Sequence, residues 1–245
     1  MESWVNSVTG IDDAITSMFF SKRTWTRGKE DEIRQICKNV LSDDGSLRPM
    51  SCTPSNQERK QFKAWMDTLV KFGTKHITML RFIDISVTVK GMHRGGQDDW
   101  DAHAMRFNNR IIRNSTRIKG SEFGYELSDF YKDKILPTDI AMKYLGVELP
   151  AEITHNGETY IKRTNGYIRK GYEDNNDVKR GLYMMSIPSD FIFKVNLTEW
   201  AHVYKERNKN GTANPEVKEL CESIADQLEE FHPQFNRELW LKILN

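Results

Sequence analysis

The stretch from Phe193 to Pro233 is the most strongly punctuated part of this chain, and it narrows what the C-terminal third can become. It opens on Phe193-Lys194-Val195-Asn196, passes Trp200 and Arg207, and reaches Ala213-Asn214-Pro215-Glu216. An amphipathic run from Val217 to Phe231 follows, and Pro233 ends it. A proline in the first helical turn has its φ preset and no amide to leave unpaired, and a proline past the end cannot continue the ladder. The spacing therefore predicts a helix over 215–231, with a second over 198–205. Asn196, His202 and Arg207, polar residues able to grip a ligand, recur inside this otherwise ordinary helical pattern. On one continuous helix Asn196, Trp200 and Arg207 fall on one side. Packing plus surface is the alternative reading of such a set.

At 245 residues, with 38% hydrophobic and 29% charged, the chain can bury a sizeable core and does not read as disordered. A net charge of +1 gives no global field toward nucleic acid or a membrane, so any electrostatic site must be local. No apolar run approaches the roughly 18 residues of a spanning helix. Met1-Glu2-Ser3-Trp4 lacks the basic start and apolar core of a signal peptide, so a cytoplasmic location is expected. Cys37, Cys52 and Cys221 stand far apart without paired spacing, which reads as reduced, idle thiols and no zinc knuckle.

Helical patterns run over 12–20, where aspartates serve as the cap, over 29–41, and over 57–72, with Phe62, Trp65, Met66, Leu69 and Val70 on one stripe. Residues 42–56 read as a loop. Residues 82–89 alternate and are β-branched, so they read as a strand, broken by the segment 91–96. Gln97 to Arg117 reads as one helix with Asp98, Asp99 and Asp101 in its first turn. Further helices are expected over 123–131 and 137–145. Asn156-Gly157 between two strand-like runs predicts a hairpin. A polar segment, 171–177, then links to the segment 178–185. The expected architecture is α+β, one domain over 1–245, with the hairpin around 151–172 read as an insertion.

Three places carry candidate chemistry. On the expected middle helix, Arg106, Arg110, Arg113 and Arg117 share one stripe, where like charges repel by a few tenths of a kcal/mol each. A phosphate alongside would relieve that, because the guanidinium fork matches its oxygens; the alternative is a solvated face balanced by carboxylates from elsewhere. Lys75-His76-Ile77-Thr78 places an imidazole and a hydroxyl two residues apart, able to converge on one ligand if extended, or to cap a turn. The third is the Asn196, His202 and Arg207 set. His93 and His103 lack the partners of a metal site, so no metal is expected. No Gly-rich phosphate loop and no Ser-His-Asp or Cys-His arrangement stands out. Nucleic-acid binding through the arginine stripe is disfavoured by the neutral net charge and the lack of interleaved aromatics.

Taken in order, these segments resemble the flavin-dependent thymidylate synthases, the ThyX family. Asp13-Ala14-Ile15 through Ser21-Lys22-Arg23 resembles the family's N-terminal helix. His76-Ile77-Thr78 with the strand to Val89-Lys90 resembles its His-x-Ser/Thr segment, which touches the flavin. Phe107-Asn108-Asn109 through Arg113 falls where its signature helix lies, and Ile187-Pro188, Val195-Asn196, Arg207 and Ala213 to Glu216 resemble its C-terminal half. The resemblance implies a homotetramer with active sites between copies, helices on a short mixed or antiparallel sheet, and FAD as cofactor. It implies NADPH and methylenetetrahydrofolate as co-substrates and one-carbon transfer to C5 of dUMP. On that pattern His76, Thr78, His103, Asn196 and His202 would face the flavin. Arg106, Asn108, Arg110, Arg113 and Arg207 would face the pyrimidine nucleotide.

The departures are specific. Where the family signature begins Arg-His-Arg, the ungapped register gives Asp101-Ala102-His103, and only Asn108 and Arg113 match further on. A register four residues later matches Ser115 and Arg117 but loses Asn108. The signature carboxylate is missing, and the arginine that precedes the family's Leu-Pro reads Met184 here. Two outcomes follow. Arg94, Arg106 and Arg110 supply charge from new positions, for dUMP or another pyrimidine nucleotide. Otherwise the scaffold persists as a non-catalytic nucleotide-binding homologue.

Overall fold

The computed structural model describes residues 1–52, 55–102, 110–113, 127, 129, 133–134, 136, 138–163, 165–175, 182, 185 and 187–243. Its contacts divide the chain into two compact units, one of residues 1–2, 90–98 and 113–191, the other of residues 3–89, 99–112 and 192–245.

The second unit holds most of the helices. Helix α1, Ile11–Ser21, buries Ile11, Ala14, Ile15 and Met18, an i, i+3, i+4, i+7 stripe. Its cap is not an aspartate. Gly10 holds that position at φ 81, and a Cβ there would sit 2.0 Å from the Phe82 carbonyl oxygen, so only glycine lets the two backbones approach. Asp12 and Asp13 lie in the first turn instead and accept from Arg34 of α2, Arg27–Val40, at 2.7 and 3.0 Å. Helix α3, Asn56–Gly73, starts at Ser55, whose hydroxyl accepts from Glu58 N, and buries Phe62, Trp65, Met66 and Leu69 as expected. A 3-10 turn, Ile77–Phe82, leads into β2, Asp84–His93.

Two corrections concern strands. The segment 91–96 does not break β2 at Gly91, because the positive φ of 74 at Gly91 lets the strand turn and run on to His93. Phe193-Lys194-Val195-Asn196 is not helical. It ends β7, Pro188–Asn196, where Ser189, Phe191, Phe193 and Val195 are buried at period two. An N-terminal strand, β1 (Glu2–Thr9), completes the picture, and the four-stranded sheet runs in the order β1-β2-β7-β3, with β3 at Arg110–Arg113.

The residues read as one long helix over 97–117 divide. Helix α4 covers Arg94–Ala102, and β3 is a strand. Strand neighbours alternate faces, so Arg110 and Arg113, three apart, lie on opposite sides and no helical arginine stripe joins them. Residues 103–109 and 114–126 lie outside the described residues, as does most of the helix expected over 123–131 and of the segment 178–185.

The C-terminal helices are α6, Leu197–Arg207, α7, Pro215–Phe231, and α8, Arg237–Lys242. Trp200, Trp240, Phe193 and Phe235 are wholly buried, with Trp100 5.1 Å from Phe193 and 6.5 Å from Trp200, ring centre to ring centre. This aromatic cluster is the heart of the second unit's core.

The first unit contains helix α5, Thr138–Tyr144, and an antiparallel sheet of β4, Glu152–His155, β5, Glu158–Arg163, and β6, Gly166–Arg169. The expected hairpin is present. Asn156 and Gly157 take φ values of 53 and 79, the two positive φ values of a type I′ turn, with His155 opposite Glu158.

Candidate functional site

The C-terminal half of α1 and the 3-10 turn that follows α3 enclose a cleft of ≈720 Å³ within the second unit. Asp13, Thr16, Ser17, Phe20 and Ser21 line it from α1, positions that fall on one helical face. His76, Thr78, Met79 and Phe82 line it from the turn. The close approach at Gly10 brings these two elements together. His76 is exposed and its ring lies 4.9 Å from that of Phe72. Phe20 and Phe82, 63% and 50% exposed, give the cleft an apolar mouth. Thr16 supplies the sharpest local signal. Its hydroxyl is buried with no hydrogen-bond partner among the described residues. A buried hydroxyl left unmade costs about 1–3 kcal/mol, which a ligand entering the cleft would recover.

The volume lies within the ordinary range for small-molecule sites, and the lining pairs aromatic and thioether surface with a few hydroxyls and an imidazole. A planar heterocycle with polar edges fits that chemistry. The described lining holds no cation, and Asp13 is its single carboxylate, so phosphates would need cations from other residues.

Of the residues expected to meet a flavin, this cleft joins His76 and Thr78. Asn196 stands outside its lining and ends β7 as the cap of α6, so it does not share a helix side with Trp200 and Arg207. Its Oδ1 accepts from Thr198 N at 3.0 Å and Glu199 N at 3.1 Å, and the Glu199 carboxylate accepts from Asn196 N, a reciprocal capping box. Asn196→Ala is expected to cost about 1–2 kcal/mol of stability, read by urea unfolding, whatever ligand is present. An unchanged midpoint would remove the cap from this account. His202 is half-buried on the same helix.

Of the residues expected to meet a nucleotide, Arg110 donates to Asp84 at 2.9 Å and Arg113 to Asp98 at 2.8 Å. Carboxylates from elsewhere thus balance both. Arg94 reaches Asp98 at 3.5 Å. Arg207 is 6% exposed and pairs with Asp99 at 3.2 Å. His103, Arg106 and Asn108 lie outside the described residues. Among the described residues no group of three or more His, Cys, Asp or Glu could hold a metal ion, and no helix is long and apolar enough to cross a membrane. Burial pushes the Cys37 thiol up to about 12 and raises that of Cys221 as well, so neither is a thiolate near neutral pH.

Sequence reasoning passed over Thr16, Ser17, Phe20 and Phe82. A signal existed: the outward face of α1 carries small hydroxyls and a phenylalanine where a solvated face would carry charges.

The α+β fold with its antiparallel sheets is what the structural comparisons match. The model of the family described as thymidylate synthase complementing protein matches residues 25–234, and the chain belongs to that family. Among solved structures it is similar to the flavin-dependent thymidylate synthase ThyX of Helicobacter pylori in complex with FAD and dUMP. That match has a TM-score of 0.55 at 13% identity and covers 95% of this chain and 99% of that one. A second structure of the H. pylori enzyme with FAD and dUMP gives 0.57 at 12% identity, covering 98% and 100%. At such identities the likeness shows the fold. No curated protein sequence matches.

Proposed function

We propose that this chain is a flavin-dependent, thymidylate synthase-like enzyme of one ThyX-like domain, assembling as a homotetramer. In that reading it moves a one-carbon unit from methylenetetrahydrofolate to C5 of dUMP with NADPH as reductant. Family membership and the H. pylori fold support the class. The observation that carries the reading is the cleft that joins His76 and Thr78 to an unpartnered Thr16 hydroxyl.

In this reading the chain supplies position rather than a nucleophile. Phe20, Met79 and Phe82 offer flat apolar surface to the heterocycle, while Thr16, Thr78 and His76 address its polar edge and set its orientation. A bound flavin contributes the hydride transfer. The described lining holds no cation and suits the uncharged half of the cofactor, so its phosphates rely on cations from other residues. The exposed rings of Phe20 and Phe82 suit burial against another copy of the chain.

A second reading keeps the fold and changes the chemistry: another pyrimidine nucleotide as substrate, or nucleotide binding without turnover. Two observations favour it. Asp101-Ala102-His103 stands where the family carries Arg-His-Arg, and Arg207 is already engaged by Asp99.

Protein purified without added flavin is expected to be yellow. Thr16→Val, which removes an unsatisfied hydroxyl while keeping shape, is expected to leave stability unchanged or higher and to weaken FAD binding about tenfold or more. Colourless protein that takes up no FAD in equilibrium dialysis ends the flavin reading. Turnover with dUMP, compared with dCMP, each with folate donor and NADPH, separates the two chemistries.

A further inference from the structure

In the unit that contains residues 113–191, the register of β4–β6 builds a surface the flavin reading does not use. Tyr160 stands opposite Arg169, and Lys162 stands opposite Tyr167. Directly opposed residues share a face of a sheet, as do residues two apart on one strand. One face therefore sets an aromatic against a cation in both pairs, with Glu158 at its end, and none of these four side chains is fully buried. The Tyr167 hydroxyl donates to Pro150 O at 2.7 Å, which fixes its ring, and Arg169 lies over the Tyr172 ring at 5.3 Å. The pair between Arg169 and Glu158, at 3.5 Å with both side chains about half exposed, is weak.

Beside this face is a cleft of ≈970 Å³ whose lining includes Lys143, Lys162 and Arg163, against one carboxylate, Glu148. None of the three cations lies within 4 Å of a carboxylate oxygen among the described residues; Lys162 and Arg163 donate to backbone carbonyls, and Arg163 acts on the Glu173 carboxylate from farther away. Next to Lys143, Tyr144 and Leu145 are 87% and 70% exposed. Three cations against one lining carboxylate suit a chain of phosphates, and exposed rings suit unstacked bases. A duplex hides its base faces, and an acidic peptide has no rings to set against the tyrosines.

We infer that this sheet face and its neighbouring cleft bind single-stranded nucleic acid, with phosphates along Lys143, Lys162 and Arg163 and bases stacked on the tyrosines, Tyr144 foremost. The chain's near-zero net charge makes this a local field rather than a global one. The inference does not rest on the flavin reading, and its test contains neither flavin nor mononucleotide, so either can fail alone.

The test is fluorescence anisotropy of a labelled oligothymidylate with the full chain across a salt series. Binding is expected to weaken steeply with salt, with a log–log slope of about 0.7 per phosphate contact. The charge reversal Lys143→Glu/Arg163→Glu is expected to weaken it about tenfold or more and to flatten that slope. Tyr144→Ala, at a position too exposed to affect folding, is expected to weaken it about tenfold at unchanged slope. No anisotropy change, affinity unmoved by either variant, equal affinity for a duplex of the same length, or equal competition by polyglutamate would each overturn the inference.

Discussion

Replacing Arg207 by alanine will lower the unfolding free energy by about 3–5 kcal/mol, the cost of breaking a buried ion pair from one side. The side chain is 7% exposed; its guanidinium lies 3.2 Å from the Asp99 carboxylate and 3.4 Å from the Asp99 carbonyl oxygen. The same carboxylate accepts from Asn214 N at 3.2 Å, and Asn214 caps α7 through Glu216 N. Arg207 therefore ties the end of α6 to the start of α7 through one acidic residue, and its loss removes that tie and empties the space its buried side chain fills. Asp99→Asn leaves the buried guanidinium without its counter-charge, so it is expected to cost at least as much, about 3–5 kcal/mol. Urea unfolding of both variants and the double mutant measures the coupling, expected at about 1–3 kcal/mol. A side chain held ready for a nucleotide phosphate behaves in the opposite way. Its removal leaves the ligand-free protein as stable as before and damages only binding. Arg207→Ala within about 0.5 kcal/mol of the parent chain, with nucleotide affinity collapsed, would return this residue to the site and take it out of the scaffold.

That contrast also explains what the sequence made legible. Apolar stripes at helical spacing located α1, α2, α3 and α7, because burial of one face is a local, periodic demand. Asn156-Gly157 located the hairpin, because few other dipeptides accept two positive φ values. The strand β7 was lost inside a helical reading although Phe191, Phe193 and Val195 alternate, since the helix that follows imposed its own period on a short segment. The middle of the chain misled for a related reason. Arg106, Arg110, Arg113 and Arg117 fit a helical stripe at every spacing, yet Arg110 and Arg113 lie on a strand whose partners are far away in sequence. His76 and Thr78 were found because they stand two residues apart in sequence. Thr16 and Phe20 join them through the backbone approach at Gly10; the unusual outward face of α1 marks them, but no pattern along the chain says which element they meet.

Acid will destabilise this protein through His232 well above the pH at which its ordinary carboxylates protonate. The ring is fully buried, packed 6.2 Å from the ring of Phe62 and 5.1 Å from that of Phe235, and its Nε2 lies 2.7 Å from Gly45 O. A carbonyl can only accept, so Nε2 carries the proton, and Nδ1 has no partner among the described residues. Burial is the main cause that pushes this imidazole down from the usual 6.5 to about 4, against smaller opposing effects of the Gly45 carbonyl and Asp44. The folded state thus keeps His232 neutral where the unfolded chain already binds a proton. Stability from this residue is full above about pH 6.5, falls by about 1.4 kcal/mol per pH unit as pH drops toward 4, and levels off below, a total of about 3 kcal/mol. The structural seat of the loss is the loop at Gly45, where φ is +84 and a Cβ would meet Val8 O at 1.8 Å. Once charged, the imidazolium must leave the pocket between Phe62 and Phe235 or draw water into it, and either movement breaks its bond to Gly45 O, in the loop that Val8 N of β1 holds through Asp44 O at 2.8 Å. His232→Leu removes the titration and keeps most of the volume. Its urea-derived stability is expected to be flat across this window while that of the parent chain declines. Equal slopes in the two proteins would show that the proton goes elsewhere.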